Sequence, residues 1–494
     1  MLRRFLGVLK VLLRDKRGLV GISIIVFFTF VAIAAPLLTP YDPLSVRKRI
    51  AAELTLPYWF KYLPGNERSS ENLHPINDPE FTSNEALKEW AFTTDPSVHN
   101  LSVKHTSDEG SPHSGSGCIA ISFKRQASDT LGEVKAVLIR EFYYPYGGPP
   151  KRFLGHISAK ATGIMNLSQW GVEIKVFTEE IGGEKNVLWS ARQGGIYRSE
   201  SWIEPSITSV TGGVKYPPLI DSYILDTESE MFSKPGNNLY GVEVSFAQDV
   251  QEATIYIDDF DLDFYGSLFG FLGTDRLGRD IASQLLYGTR ISLIIGLLAA
   301  FLSVTIGLGL GLFSGYSGGF VDEIMMRFTD MLLVLPELPL LIVLIAVLGS
   351  TVWNLILLIG FLGWMGFART VRSQVLSLKE RPFVEAAKAV GASRLHIITR
   401  HMLPNVMNLV YVTLAMSVPY AIMSEAYISF LGLFDPTLVT WGRMLHEVLG
   451  VVDGVQRWWW IVPPGLCIAA ISTAFIFIGY ALDEILNPKL RERR

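Results

Sequence analysis

Apolar residues are concentrated in six long runs, at residues 18–39, 291–315, 328–349, 353–370, 406–433 and 459–482. Each run is close to the length of about 20 residues that an α-helix needs to cross the hydrocarbon core of a bilayer. The pattern therefore predicts an α-helical polytopic membrane protein with six transmembrane helices. An even number of spans places both termini on the same side of the membrane.

Residues 41–270, between the first and second runs, have a different pattern in which apolar and polar positions alternate. Ile119 and Ile121 show this period of two, which is typical of half-buried β-strands. A polar segment of this length must contain a folded domain. We predict three parts: residues 1–40 as the N-terminus and first helix, 41–270 as an inserted all-β sandwich of jelly-roll-like type, and 271–494 as a five-helix core.

Basic residues mark one side of the predicted membrane. Clusters of lysine and arginine precede the first apolar run, lie between the fourth and fifth runs, and follow the sixth. Because cytoplasmic loops carry an excess of these residues, we predict a cell (inner) membrane protein with cytoplasmic termini and an extracytoplasmic segment 41–270. Ala32-Ile33-Ala34 resembles a signal-peptidase site, but the first run is longer than a usual signal-peptide core, which favours a retained helix.

The composition fits a chain that is partly embedded in the membrane and partly in water. Of 494 residues, 49% are hydrophobic and 18% are charged, and 43 basic against 47 acidic residues give a net charge of -4. This balance provides no basic field for nucleic acid, so nucleic-acid binding is not predicted. Cys118 and Cys467 lie in the polar segment and in the sixth apolar run, which argues against a structural disulfide.

Aspartates are clustered in the last alternating run of the β segment, ATIYIDDFDLDFYG. The apolar parity shifts between Ile257 and Phe260, which predicts a β-bulge at the paired aspartates. Because calcium prefers carboxylate oxygens, Asp258, Asp259 and Asp261 are a candidate calcium site. The alternative is that these side chains cover a solvated strand face.

The same run, together with FTSNEALKEW near the start of the β segment, loosely resembles the jelly-roll sandwiches of carbohydrate-binding modules. Such sandwiches have many functions, so the resemblance concerns the fold rather than a ligand. Trp170, Trp189 and Trp202 could stack on sugar rings, and packing in the core is the alternative for each.

No stretch of the chain matches a phosphate-binding loop. The glycines of residues 273–280 have the right spacing, but Arg279 and Asp280 replace the lysine and the hydroxyl residue of that motif. We therefore predict that the chain is not an enzyme and does not itself hydrolyse ATP. The glycines of GLGLGLFSG, residues 307–315, are predicted to form a small-residue face for close helix packing.

The segment between the fourth and fifth runs contains EAAKAVGASRLHIITRHMLPN, residues 385–405. It predicts a short helix, a break and a second, basic helix, because Gly391 can end a helix in a left-handed conformation. The first helix has a small, apolar face and, apart from Phe383, no bulky lipid anchor. This composition favours docking into a cytoplasmic partner over lying on the lipid surface.

The order of these features resembles the inner-membrane permease subunits of ABC importers, in the dipeptide, oligopeptide and nickel branch. The resemblance covers residues 10–45 and 270–494 and includes LGTDRLGRD, MMRFTDMLLVLP, ISFLGL, WGRML and LDEILNPKL. In that family an EAA---G motif forms coupling helices, here at residues 381–405, that sit in a cleft of the ATPase subunit. The matching residues are Glu385, Ala386, Ala387, Gly391, Leu403 and Pro404.

The resemblance implies an ABC importer type I permease fold with no cofactor in this chain, since ATP and Mg²⁺ are bound by partner ATPases. The implied partners are a second related permease subunit, two ATP-binding cassette ATPase subunits and an extracytoplasmic substrate-binding protein. The implied cargo is peptides, with oligosaccharides and nickel as alternatives. The large β segment departs from the family, and it is expected to hold the binding protein, to bind substrate itself, or to act as a spacer or cell-wall contact.

Ionisable residues within the apolar runs are candidates for the substrate pathway, because each costs roughly 2.5–3.5 kcal/mol at mid-bilayer unless it meets a partner or water. Asp330, Glu337 and Glu425 are such residues, and Glu337 stands between Pro336 and Pro339, where it can meet an amine. Pairing with the second permease is the alternative for all three. Two other function classes stay open: an ion-coupled secondary carrier and a membrane-anchored sugar-binding or sensor protein.

Overall fold

The computed structural model describes residues 12–45, 50–94, 100–107, 117–126, 132–162, 171–192, 202–203, 206–208, 232, 234–452 and 454–486. The chain divides into two compact units. Residues 1–48 and 279–494 form the first, called here the helical unit, and residues 49–278 form the second, called the β unit. The β unit begins and ends eight residues after the predicted segment 41–270.

Helices dominate the helical unit, and the β unit contributes the short helix α2. In chain order the helices are α1 Lys16–Leu38, α2 Asn84–Leu87, α3 Ile281–Ser317, α4 Gly319–Val334, α5 Glu337–Leu348, α6 Val352–Leu362, α7 Met365–Lys379, α8 Pro382–Ala389, α9 Arg394–Ile397, α10 Leu403–Phe430, α11 Trp441–Leu449 and α12 Trp458–Leu486. Asp280 caps α3, because its carboxylate accepts a hydrogen bond from the backbone N–H of Ser283 at 2.7 Å.

Within the described residues, five helical stretches are long and apolar enough to cross a membrane. They are Lys16–Leu38, Ile281–Ser317, Val352–Lys379, Arg394–Phe430 and Trp458–Leu486. A sixth span is present only if α4 and α5 count as one, and these two helices are bent by 88°. The apolar run 328–349 is therefore not the single continuous helix that its length indicates. Pro336 explains the break, because proline lacks an N–H and disfavours a helical backbone at Leu335, which is extended.

The glycines of α3 form the predicted packing face. A Cβ atom placed on Gly307 would lie 2.8 Å from the carbonyl oxygen of Trp364, and one placed on Gly311 would lie 2.6 Å from that of Ala368. Gly315 continues the same row, 3.0 Å from the carbonyl oxygen of Arg372. Only glycine permits this approach of α3 to the backbone of α7, so the prediction of a small-residue face is confirmed.

The β unit is built from two five-stranded antiparallel sheets. The strands are β1 Ala91–Thr94, β2 Leu101–Thr106, β3 Cys118–Lys124, β4 Val134–Tyr144, β5 Arg152–Thr162, β6 Val172–Glu180, β7 Lys185–Arg192, β8 Ser206–Thr208, β9 Gly236–Phe246 and β10 Glu252–Tyr265. The strand orders are β1-β4-β9-β6-β7 and β2-β3-β10-β5-β8. One apolar cluster contains side chains from both sheets, as the alternating pattern predicts.

Two details of the β unit bear on its candidate sites. The pairing of β10 with β5 shifts register between Asp258 and Asp261, and Asp259 has a φ of 48°, so a bulge lies at the paired aspartates as predicted. Trp189 is only 1% exposed and belongs to the apolar core, so its side chain cannot stack on a sugar. Trp202 is partly exposed, and Trp170 lies outside the described residues.

Candidate functional site

Residues 381–405, called here the hinge segment, connect α7 to α10. Gly391 ends the first short helix with a φ of 79°, which is the left-handed conformation that glycine adopts most readily. The backbone N–H of Ala392 donates to the carbonyl oxygen of Ala387 at 3.0 Å and closes that helix end. Ser393 then caps α9 by accepting from the N–H of His396 at 3.3 Å, and a π-helical turn joins α9 to α10.

One side of the hinge segment is anchored in the helical unit. Val384, Ile397 and Met402 are each at most 1% exposed. They belong to an apolar cluster that also contains Val371 and Val375 of α7, together with side chains of α3 and α10. Close packing of this kind fixes the segment to three long helices, so it is not a free loop.

The other side of the hinge segment exposes apolar side chains. Val390 is 85% exposed and Leu395 is 71% exposed, and Phe383 is 42% exposed beside the ring of His401. Exposed apolar side chains that flank a rigid turn are typical of a protein-docking surface. The geometry therefore leaves a short helix and a glycine turn exposed on this side of the helical unit.

The motif residues do not share one face. Glu385, Ala386, Gly391 and Pro404 are exposed, Leu403 is partly buried, and Ala387 is 9% exposed and faces the apolar cluster. The two adjacent alanines thus have different surroundings, one at the packed side and one at the open side. Pro404 lies in the first turn of α10, where a missing N–H costs no helical hydrogen bond.

Two arginines of α7 pair with two aspartates of α4. The Nε atom of Arg372 donates to Oδ1 of Asp322 at 2.6 Å, and that of Arg369 donates to Oδ1 of Asp330 at 3.0 Å. Ser314 of α3 also hydrogen-bonds to Asp322. These contacts fasten α4 to the helix that precedes the hinge segment, and they give the carboxylate of Asp330 a counter-charge within the chain.

Among the described residues, the other two carboxylates of the apolar runs form no ion pair with arginine. Glu425 is 1% exposed, and its Oε1 accepts from the hydroxyl of Ser429 at 2.6 Å. Glu337 begins α5 at the bend, and Tyr420 of α10 lies beside its carboxylate. The structure therefore does not bring Asp330, Glu337 and Glu425 together, and each has its own surroundings.

A buried ionic cluster that the sequence did not single out lies at the start of α3. Nη2 of Arg279 donates to both carboxylate oxygens of Glu447 at 3.0 Å, and Nε of Arg443 donates to Oε1 at 3.0 Å. Arg443 also donates to the carbonyl oxygen of Leu438 at 2.7 Å. The sequence contained part of the signal for this cluster, because Arg279 lies in the motif LGTDRLGRD and Arg443 lies in WGRML. Glu447, which pairs with both arginines, lies outside these motifs.

The aspartates predicted to bind calcium are engaged within the β unit. Oδ1 of Asp258 accepts from the N–H of Asp259 at 2.9 Å, Oδ2 of Asp259 accepts from Ser158 at 2.9 Å, and Oδ1 of Asp261 accepts from the N–H of Leu262 at 2.7 Å. In the described part of the chain, no group of three or more His, Cys, Asp or Glu side chains is placed to hold a metal ion. Calcium binding stays a prediction that these contacts do not support.

Asp261 of β10 and His74, which lies beside β10, have shifted pKa values. Burial raises the pKa of Asp261 from 3.8 to about 6. A hydrogen bond from the ring of His74 to Asp263 raises the pKa of the histidine above its ordinary 6.5. Both shifts favour protonation of these two side chains at mildly acidic pH.

Comparison with known proteins identifies the family. Residues 307–492 match the family model named binding-protein-dependent transport system inner membrane component. Residues 5–57 match the family model of the N-terminal TM domain of oligopeptide transport permease C. The dipeptide transport system permease protein DppC of Bacillus subtilis (strain 168) is 39% identical over 222 residues, which are 45% of this chain and 69% of the relative. The chain belongs to this permease family. Membership of this family confirms the prediction of an α-helical polytopic permease. It favours that prediction over the ion-coupled carrier and over the membrane-anchored sensor.

Solved structures show weaker similarity to the permease. One is an inward-facing MetNI methionine ABC transporter, with 16% identity, a TM-score of 0.32, and coverage of 40% of this chain and 96% of that chain. Another is a carbohydrate-binding module of the β-sandwich superfamily, with 15% identity, a TM-score of 0.24, and coverage of 38% and 61%. At these scores neither similarity assigns a fold.

Proposed function

We propose that this permease is one half of the membrane pathway of an ATP-driven importer that moves peptides into the cell. The observation that carries the proposal is the hinge segment, with its buried anchors and exposed Val390 and Leu395, in a chain of this family. The names of the relatives support the cargo, since the Bacillus subtilis protein is a dipeptide permease and the matched N-terminal model is that of an oligopeptide permease.

The proposed topology has six spans, with α4 and α5 together as the third, as in the type I permease fold. Both termini and the hinge segment are then cytoplasmic, and the β unit is extracytoplasmic. Basic residues support this orientation, because the hinge segment contains Arg381, Lys388, Arg394 and Arg400. The jelly-roll-like assignment of the β unit remains part of this proposal.

In the proposed mechanism the hinge segment docks into a cytoplasmic ATPase. Glu385, Ala386 and Gly391 would contact the ATPase directly, and Ala387, Leu403 and Pro404 would hold the segment in shape. ATP and Mg²⁺ would be bound by two ATPase subunits, and a second related permease and an extracytoplasmic binding protein would complete the transporter. Closure of the ATPases would displace the hinge segment and bias the helical bundle between two openings.

Substitution of one exposed hinge residue tests this docking. Val390→Asp leaves the buried anchors intact but places a charge in the proposed interface, so the ATPase subunits should no longer co-purify with the permease. The matched control is Val452→Asp, since Val452 is fully exposed on the loop that follows α11. The control should retain the ATPases.

Peptide-stimulated ATP hydrolysis by the reconstituted transporter is the functional measurement. We expect stimulation in the native complex and in the Val452→Asp variant, and its loss in Val390→Asp. Equal ATPase recovery and equal stimulation in both variants would show that this face of the hinge segment does not couple. Stimulation by oligosaccharides and not by peptides would reject the proposed cargo while leaving the coupling role intact.

A further inference from the structure

Several carboxylates in the described part of the helical unit pair with arginine. The pairs are Asp322 with Arg372, Asp330 with Arg369, and Glu447 with Arg279 and Arg443. Carboxylates that meet arginine in this way are already compensated and need no cation from outside. Glu337 is different, because no basic side chain of the described residues forms an ion pair with it.

The carboxylate of Glu337 is also incompletely hydrogen-bonded. Tyr420 lies beside it, and its Oε1 is shielded from solvent and has no hydrogen-bond partner among the described residues. A shielded carboxylate oxygen without a donor is costly unless a donor arrives with a ligand or another chain. The site therefore lacks one donor and one positive charge.

The surroundings of Glu337 make it reachable. It begins α5 at the 88° break, where Pro336 interrupts the helical backbone, and it is only partly buried. Tyr420 is 42% exposed and stands ten residues before the end of α10, which at 1.5 Å per residue is about 15 Å, or half of a hydrocarbon core. Glu425 also has an oxygen without a hydrogen-bond partner among the described residues, but at 1% exposure it is enclosed within the helical unit.

We propose that Glu337 and Tyr420 form a cation site at mid-membrane that receives an ammonium group of the transported peptide. This inference rests on the proposed function. The carboxylate supplies the negative charge, and the hydroxyl of Tyr420 is a polar group that lies beside it. Peptides offer such a cation from two sources, the α-amine and a lysine side chain, and both match a single carboxylate.

The test is uptake by the complete transporter in vesicles, with the binding protein saturated by each peptide. Three peptides separate the sources: Ala-Ala-Ala, N-acetyl-Ala-Ala-Ala and N-acetyl-Ala-Lys-Ala. If the site binds the α-amine, Glu337→Gln should slow uptake of the first peptide about tenfold and leave the second unchanged, because a charge-assisted hydrogen bond is lost. If it binds lysine, the third peptide should be slowed instead.

Two further variants separate recognition from folding. Tyr420→Phe keeps the carboxylate. It should shift the ratio of the uptake rate of the cationic peptide to that of N-acetyl-Ala-Ala-Ala by a smaller factor than Glu337→Gln does. Asp330→Asn is the matched control, since Arg369 already pairs with that carboxylate, and it should leave the ratio unchanged. A loss of folding lowers the uptake of every peptide equally and does not move the ratio.

Two results would overturn the inference. An equal change for all three peptides in Glu337→Gln, with an unchanged amount of folded transporter in the vesicles, would mean that the carboxylate pairs with a basic residue of the second permease. Unchanged rates for all three would mean that it contacts no cation during transport. Failure of the native transporter to take up any peptide would instead reject the proposed function, so the two failures are distinguishable.

Discussion

Substitution of Gly311 by alanine tests the close contact between α3 and α7. The added Cβ would lie 2.6 Å from the carbonyl oxygen of Ala368 and 2.7 Å from Cβ of Val371. Neither atom can rotate away, so the two helices must separate. Overpacking of this kind costs about 1–3 kcal/mol. Replacing glycine by alanine within a helix returns about 1 kcal/mol, so the net effect should be a loss of up to about 2 kcal/mol.

Gly309 provides the matched control. It lies two residues away in the same helix, is exposed, and has no atom within 4 Å of an added Cβ. Gly309→Ala should therefore stabilise the permease by up to about 1 kcal/mol. Because the propensity gain is common to both variants, their difference isolates the packing cost of about 1–3 kcal/mol.

The assay is the fraction of permease that remains monodisperse after heating in detergent, measured by fluorescence-detected size exclusion across a temperature series. We expect Gly311→Ala to lose its folded peak at a lower temperature than the native chain, and Gly309→Ala at the same or a higher temperature. Identical curves for the two variants would refute the reasoning, because they would mean that α3 and α7 are not in backbone contact at this position.

Three further outcomes are expected. Glu447→Gln should destabilise the helical unit by about 3 kcal/mol in the same heating assay, because it leaves Arg279 and Arg443 without their shared counter-charge. Val384→Ala should cost about 2 kcal/mol in that assay, since Val384 is a fully buried anchor of the hinge segment. Asp261 binds its proton more tightly in the folded state, so the free energy of unfolding of the β unit should fall as pH rises from about 4 to about 6. The loss should reach about 3 kcal/mol at pH 7, and it can be measured by hydrogen exchange of the β10 amides. Asp261→Asn should remove this pH dependence.

The architecture was largely predictable because it follows from local patterns. Apolar runs of bilayer length and strands with a period of two can be read without knowing what they pack against. The helix break at Pro336 could not be predicted from a local pattern in the same way. A proline within an apolar run is compatible with a kinked span or with two helices, and only the packing of both parts decides between them. The pairing of Asp322 with Arg372 likewise joins residues 50 positions apart.

The sequence predicted the motif of the hinge segment, but it did not predict which of the motif residues are exposed. The spacing of Glu385 and Gly391 indicated a helix that ends in a glycine turn, and the structure has that turn. Which alanine faces inward depends on another helix, because Ala387 shares an apolar cluster with Val371 and Val375 of α7. The sequence also could not show that no basic side chain in the described part of the chain pairs with Glu337, because this depends on where each arginine of the bundle lies.

The packing of the helical unit indicates how a displacement of the hinge segment would travel. Val384 shares one apolar cluster with Val375 of α7, and a Cβ on Gly315 of α3 would meet Val375 at 2.9 Å. Close-packed interiors transmit displacement rather than absorb it, so α8, α7 and the adjoining part of α3 must move together. The ladder of helical hydrogen bonds is interrupted between α4 and α5, and relative motion concentrates at such interruptions. Glu337 lies at that boundary, where movement of the bundle would change its access to a cation.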